Sequence, residues 1–232
     1  MHNVTDRYLE LIDSVPYIEV SLADQFIPKM LFQYTFMSPA RYKSPIKVWT
    51  TVSEASNILS AGYAAFGRHW SEKDKKLFKN PFAQFVKIDA NMTKVWSLSE
   101  KSSIAAHVNV GTLCAYGNSR FAPYTEQFYV GGANSIRAFN VRQIGPGRYR
   151  STQRRRSYVE QTGDIKFQCN VEYRPHLVGS LYGALFLDAG NVWTMHYDDG
   201  RPEGYFRVKN VLKEMALGTG VGKIGRASCG KE

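Results

Sequence analysis

Apolar and polar residues alternate along six stretches of this chain, the pattern of β-strands that present one face to each side of a sheet. The stretches are residues 29–36, 46–53, 85–97, 103–117, 164–174 and 181–193. Residues 55–70 fit either a short helix or a strand with a small-residue face, and residues 71–80 are predicted to be a charged loop. The pattern therefore predicts an all-β, antiparallel protein.

The length and polar faces of these strands favour a transmembrane barrel over a soluble sandwich. Several run for about 10 residues or more, whereas strands of soluble proteins average about 5–6. Their polar faces carry Lys, Asp, Asn, Gln and Glu, as a wet lumen allows. Trp96, Tyr116, Tyr173 and Trp193 lie near strand ends, where the aromatic girdles of a barrel are expected. A soluble sandwich also alternates, so the pattern alone leaves both architectures open.

Residues 126–147, EQFYVGGANSIRAFNVRQIGPG, form the most distinctive segment and precede the strand at 164–174. The pair Gly131 and Gly132 permits positive φ and close approach by other chain segments. A second turn is predicted at Gly145, Pro146 and Gly147. Arg137 lies between Ile136 and Phe139 in the least polar part of the segment, which indicates a buried loop tip. A buried arginine requires a carboxylate partner.

Two carboxylates are candidates for this partner. Glu172 and Asp188 lie on the polar faces of the two strands that follow the loop. If these strands pair antiparallel, both side chains point to the same interior and can clamp Arg137 by charge-assisted hydrogen bonds. The alternative is that both are ordinary solvated lumen residues, and spacing alone does not decide between the two.

The net charge of +10 raises a second hypothesis for function. Five arginines, at positions 148, 150, 154, 155 and 156, form a basic run that is either a solvated loop or an anion site. The alternative function is thus a soluble basic β-protein that binds nucleic acid or another polyanion.

Motifs for catalysis or metal binding are not found. Cys114, Cys169 and Cys229 have neither disulfide-framework nor zinc-type spacing. Residues 220–225 formally match GxGxxG but lack the βαβ setting that dinucleotide binding requires. The sequence predicts a protein that is not an enzyme and that uses no cofactor and no metal.

The loop resembles the sixth-loop motif of the BamA/TamA superfamily of outer-membrane assembly factors, the bacterial surface antigen barrels. The tip of that motif is usually Val-Arg-Gly-Phe or Val-Arg-Gly-Tyr, and the corresponding residues here are Ile136, Arg137, Ala138 and Phe139. Alanine at this position resembles the Bacteroidetes-type variant. The approach to the loop, YGNSRFAPYTEQFYVGG, also resembles the family, as does the loop signature Gly131, Gly132, Asn134, Gly145, Pro146 and Gly147.

The two strands after the loop extend the resemblance. The segments NVEYRP and LFLDAGNVW are similar to the corresponding family strands, the second with the signature Phe186, Asp188, Gly190 and Trp193. The similarity covers roughly residues 20–222, which identifies the chain as a member of this family.

The resemblance implies a β-barrel in the outer membrane of a Gram-negative (diderm) bacterium, preceded by periplasmic POTRA domains. It implies assembly, insertion or translocation of other outer-membrane proteins, with Arg137 latched in the lumen on Glu172 and Asp188. The implied partners are outer-membrane lipid, client outer-membrane proteins, and periplasmic or lipoprotein partners through the POTRA domains, with no nucleic acid.

The domain organisation is predicted to be a partial barrel over residues 1–223, with an inward-folding loop at about 131–163. It has too few strands to close a barrel by itself, and an open sheet edge is not viable in lipid. Residues 224–232 are predicted to be a non-native tail, because IGRASC resembles the translation of a sequencing-library adapter. An ordinary basic tail is the alternative.

Overall fold

The computed structural model describes residues 25–39, 42–73, 75–150, 160–179, 181–198 and 200–225. Within them, seven strands form one antiparallel sheet and two short strands form a separate hairpin. The strands are β1 (Lys29–Met37), β2 (Ile46–Ala55), β3 (Lys76–Leu77), β4 (Asn80–Pro81), β5 (Phe85–Ser99), β6 (Ser102–Ala115), β7 (Ile165–Val178), β8 (Leu181–Trp193) and β9 (Ala216–Gly225). The helices are α1 (Asn57–Ala65) and α2 (Val211–Glu214).

The large sheet has the order β1-β2-β5-β6-β7-β8-β9 and is not closed, so the architecture is that of an incomplete antiparallel barrel. Each strand pairs with the next long strand in the sequence, as expected for a meander. No helix among the described residues is both long and apolar enough to cross a membrane.

The six predicted strands are all present, with shifted ends: β5 extends to Ser99 and β7 to Val178. The ambiguous stretch 55–70 contains α1, and the predicted charged loop contains β3. Strand β9 had no clear alternating signal, because Gly218, Gly220 and Gly222 are three of the five residues on one of its faces. It includes the formal GxGxxG match and continues two residues past the predicted boundary at 223, whereas residues 226–232 lie outside the described residues.

One face of the sheet is apolar and exposed from edge to edge. The register places Phe32 opposite Val52 and Val52 opposite Ile88 at one side, and Val171 opposite Leu187 at the other. Phe32 is 68% exposed and Leu187 is 54% exposed. An exposed apolar surface of this extent indicates contact with lipid or with another protein, because soluble monomers rarely expose large apolar patches.

The opposite face is polar and carries the core. The described parts of the segment between β6 and β7, residues 116–150 and 160–164, fold onto it, and buried apolar side chains from the loop and strands meet there. They are Phe85, Leu113, Phe128, Val130, Ile136, Ile144 and Val192. The chain therefore has its core between a long loop and the inner face of the sheet, as in a barrel with an inward-folding loop.

The four aromatic residues predicted for a girdle have different surroundings. Tyr116 is partly buried and donates from its hydroxyl to Asn57 at 2.8 Å. Trp96 and Tyr173 are partly exposed. The prediction for Trp193 is wrong: its side chain is fully buried, packs edge-to-face on Phe206 and donates from Nε1 to Glu214. The segment after β8 folds back over this tryptophan, and alternation along a strand carries no information about such a covering segment.

The two faces of β2 give a matched test of the lipid-facing assignment. Thr50 shares the face of Tyr34 and Ala90, whereas Thr51 lies between Gln33 and Asp89 on the polar face. We expect Thr50→Lys, in the full-length protein in lipid vesicles, to lower the free energy of unfolding by about 2–4 kcal/mol, as for a lysine near the bilayer midplane. Thr51→Lys, beside Asp89, is expected to change it by less than about 1 kcal/mol. Urea titrations that give equal losses for both variants would contradict the assignment.

Candidate functional site

A compact turn at residues 130–142 presents Arg137 to the inner face of the sheet. Gly131 and Gly132 have φ of +103° and +91°, a region that favours glycine. The amide of Gly132 donates to the carbonyl of Phe139 at 2.8 Å, and the amide of Arg142 donates to Val130 at 3.1 Å. These bonds close the base of the turn and leave Arg137 at its tip.

The guanidinium of Arg137 is held by two carboxylates on neighbouring strands. Nε donates to Oδ2 of Asp188 at 2.9 Å and Nη2 donates to Oδ1 at 2.8 Å, which is a two-point contact with one carboxylate. Nη1 donates to Oε2 of Glu172. The backbone amide of Arg137 also donates to Oδ2 of Asp188, at 3.0 Å. The backbone and the side chain of Arg137 are thus both bound to β8, and the side chain is also bound to β7.

Asp188 is fully buried, so its charge depends on these donors. Asn170 adds a further bond from Nδ2 to Oδ1 of Asp188 at 2.8 Å. The hydrogen bonds that Arg137 donates to Asp188 raise the pKa of Arg137 against the opposing effect of burial, and Glu172 contributes in the same direction, so the guanidinium stays charged. Charge-assisted hydrogen bonds of this kind are about twice as strong as neutral ones.

A polar network that the sequence did not reveal surrounds the ion pair. Gln168 donates to Asn170 at 2.7 Å and accepts from the hydroxyl of Ser135 at 2.8 Å. Asn170 also donates to the carbonyl of Ser135 at 2.6 Å. Alternation placed Gln168 and Asn170 on the polar face, but only the folded loop shows that they bind its backbone.

Aromatic and glycine residues shape the floor of the site. The guanidinium carbon of Arg137 lies 3.6 Å from the ring centroid of Phe186, a cation–π geometry. That ring in turn covers Gly220 of β9, where any Cβ would clash with it. The absence of a side chain at Gly220 therefore leaves room for Phe186 beneath the arginine.

The other predicted loop and strand residues lie in four different places. Ile136 is fully buried, close to Gly190, and Ala138 approaches Gly218; Phe139 packs partly buried against the core. Gly145, Pro146 and Gly147 are buried farther along the loop, where the amide of Gly147 donates to Val192. Asn134 is exposed and joins the network through its carbonyl, and Trp193 lies apart with Glu214.

A second buried polar cluster, not predicted, lies under the loops that follow β6 and β8. Arg201 donates from Nη1 to the carbonyls of Glu160 and Thr162, at 3.1 and 2.9 Å. Asp164 accepts from the amide of Met195 at 3.1 Å, and burial raises the pKa of this carboxyl. A cavity of about 470 Å³ adjoins the cluster. These contacts tie the two loops to each other above the sheet.

The described residues contain no group of three or more His, Cys, Asp or Glu side chains arranged to hold a metal ion. Cys114 and Cys169 are unpaired thiols, and Cys229 lies outside the described residues. Of the basic run, only Arg148 and Arg150 are described and both are exposed, so the polyanion hypothesis still rests on composition. The chemistry that the site offers is a fixed network of charges.

The family model described as "Omp85 superfamily domain" matches residues 76–223, which are more than half of the chain. The chain is 30% identical over 122 residues to the outer membrane protein assembly factor BamA of Neisseria meningitidis serogroup B (strain ATCC BAA-335 / MC58). That match covers 50% of this chain and 15% of the relative.

Among solved structures, the chain is similar to the crystal structure of BamA from Haemophilus ducreyi lacking POTRA domains 1–3. The TM-score is 0.47 at 12% identity, over 87% of this chain and 49% of that one. The chain thus spans less than half of the length of either relative.

Removal of the Arg137 charge tests the energetics of the site. In the full-length protein, we expect Arg137→Met to lower the free energy of unfolding by about 3–5 kcal/mol, because it leaves buried Asp188 without its counter-ion. Arg174→Met is the control: Arg174 binds the same Glu172 at 2.7 Å but is 41% exposed, so a loss of no more than about 1 kcal/mol is expected. The measurement is urea unfolding in lipid vesicles.

A third variant separates the buried charge from lost packing. Arg137→Met combined with Asp188→Asn is expected to cost less than the sum of the two single changes, because no unpaired charge remains. Strict additivity, or equal losses for Arg137→Met and Arg174→Met, would rule out a strong buried pair.

Proposed function

The chain belongs to the Omp85 superfamily, and on this premise we propose that it forms part of a BamA/TamA-type factor that assembles or translocates outer-membrane proteins. Its place is the outer membrane of a Gram-negative bacterium, as for its BamA and Omp85 relatives. In this proposal Arg137 latches the long loop to Glu172 and Asp188 inside the barrel. The assignment to the Bacteroidetes-type branch stays a prediction.

The distribution of polarity over the two faces supports a membrane location. The exposed face carries Phe32, Ile88, Val171 and Leu187, whereas the face under the loop carries Lys166, Gln168, Asn170 and Glu172. A transmembrane barrel has this arrangement, apolar toward lipid and polar toward the lumen. A soluble polyanion-binding protein would instead have to cover the apolar face.

The proposed latch rests on one observation, the contact of a single arginine with carboxylates from two adjacent strands. Because Arg137 contacts both Glu172 of β7 and Asp188 of β8, the loop tip can leave only if both ion pairs break together. A bidentate arginine contact fixes orientation as well as position. The latch would therefore hold the loop in one place while other parts of the barrel admit client strands.

The assembly role involves strand pairing rather than covalent chemistry. An exposed strand edge presents unpaired backbone groups that can pair with an incoming strand. Client outer-membrane proteins and surrounding lipid are the proposed partners, and periplasmic or lipoprotein partners would bind through POTRA domains. Since the chain spans 15% of one relative and 49% of the other, these roles belong to the proposal for the whole protein.

The proposal is tested in cells that depend on the full-length gene. We expect Arg137→Ala to lower the amount of folded client barrels several-fold, measured by heat-modifiable gel mobility at matched levels of the factor. The swap Arg137→Asp with Asp188→Arg is expected to restore assembly in part, because it rebuilds the opposite charges in reversed order. Arg174→Ala serves as the control for loss of an exposed arginine.

Two outcomes would contradict this function. Normal levels of folded clients in Arg137→Ala cells would exclude the latch from assembly. Normal client levels after depletion of the whole protein would exclude the assembly role itself.

A further inference from the structure

The entry of the long loop carries a second, partly buried charge contact, on the same inner face as Arg137 but toward the β1 edge of the sheet. Oε1 of Glu126 accepts a hydrogen bond from Nζ of Lys29 at 2.7 Å. Nζ of Lys87 donates to the backbone carbonyl of Glu126 at 2.7 Å and to Oε2 at 3.3 Å. Glu126 therefore joins β1 and β5 to the loop, and its side chain is only 14% exposed.

The strand between the two lysines is built to let them meet. Lys29 lies opposite Ala55 of β2, and Lys87 lies opposite Ser53 of the same strand. Ala55 and Ser53 are small and almost fully buried. Lysines from β1 and β5 can therefore reach one carboxylate across β2, because no large β2 side chain intervenes.

Packing next to Glu126 reinforces the charge contact. The ring of Phe128 lies on Gly111 of β6, where any Cβ would clash with it. Nζ of Lys87 lies 4.8 Å from the centroid of that ring, within cation–π range. Phe128 also exchanges two backbone hydrogen bonds with Gly163, each 2.9 Å long, where the chain leaves the loop. The first and last parts of the loop thus meet beside Glu126.

Electrostatics favour an ionised Glu126. Burial alone would raise the pKa of the carboxyl, but the hydrogen bonds and positive charges of Lys29 and Lys87 outweigh burial and lower it. The loop base therefore carries a negative charge held between two cations.

We propose that Glu126 is a second positioning residue of the loop, which anchors the loop entry to β1 and β5 through Lys29 and Lys87. Together with Arg137 on β7 and β8, this anchor makes the loop a brace across the inner face of the sheet. The anchor itself is independent of the proposed function, and only its consequence for assembly rests on that function.

The anchor is tested by cysteine accessibility in the full-length protein. Ala122, four residues before Glu126, is 4% exposed, so Ala122→Cys reports whether the loop entry lifts from the sheet. The background has its native cysteines replaced, Cys114→Ser and Cys169→Ala among them. We expect Glu126→Gln to raise the maleimide labelling rate roughly tenfold, because bonds to a charged acceptor are lost. Glu100→Gln, a change of an exposed glutamate in the β5–β6 turn, should leave the rate unchanged.

A double-mutant cycle identifies the partner. If Glu126 acts through Lys87, Glu126→Gln combined with Lys87→Met should label no faster than about the faster single variant, rather than at the product of the two effects. Arg137→Met should leave Ala122→Cys protected, since the loop tip and loop entry are held separately. An unchanged labelling rate in Glu126→Gln, or multiplicative effects in the cycle, would overturn the anchor.

The consequence for assembly is measured separately from labelling. Faster labelling in Glu126→Gln with fewer folded clients supports the brace as part of the assembly function. Faster labelling with normal client levels retains the anchor and overturns its contribution to assembly. Failure of the Arg137 variants to affect clients would count against the proposed latch function and leave the labelling result intact.

Discussion

The buried charge of Asp188 is the constraint on which the rest of the inner face depends. A fully buried carboxylate is costly unless it is paired and hydrogen-bonded, and this one receives four bonds, three of them from Arg137 and one from Asn170. Three of the four come from the loop, so satisfaction of Asp188 requires the loop to be folded inward. Without the folded loop, strand β8 would hold a buried carboxylate that lacks most of its hydrogen-bond donors.

Once the loop tip is fixed at Asp188, the side chains of the tip limit the size of the residues that can lie beneath them on the sheet. Ala138 and Ile136 lie so close to Gly218 that a Cβ there would be crowded, and at Gly190 a Cβ would meet the backbone of β7 as well as Ile136. Phe186 lies over Gly220 and Phe128 over Gly111 in the same way. Glycine weakens a strand in isolation, but here each glycine accepts a side chain that the loop or the neighbouring strand places on it. The loss of intrinsic strand propensity is offset by burial of those side chains.

This arrangement explains which parts of the structure the sequence could predict. Six strands followed from alternation, since each carries side chains on both faces, and the candidate pair Glu172 and Asp188 followed from their position on the polar face. Strand β9 was missed because glycines 218, 220 and 222 take three of the five positions on one of its faces. Trp193 was misplaced because its cover comes from a segment remote from the alternation of β8. Gln168, Asn170 and Glu126 are ordinary polar residues in sequence, and their roles depend on where the loop lies.

The two charge contacts of the loop differ in chemistry in a way that fits their positions. At the tip, a single guanidinium must satisfy carboxylates from two strands, which requires the several donors and planar geometry of arginine. At the entry, a single carboxylate must collect two cations from strands separated by β2, which suits the long, flexible stem of lysine. The tip contact sets orientation and the entry contact tolerates variation in distance. Arginine thus fixes the loop to β7 and β8 at the tip, and the two lysines join the loop entry to β1 and β5 across the width of β2.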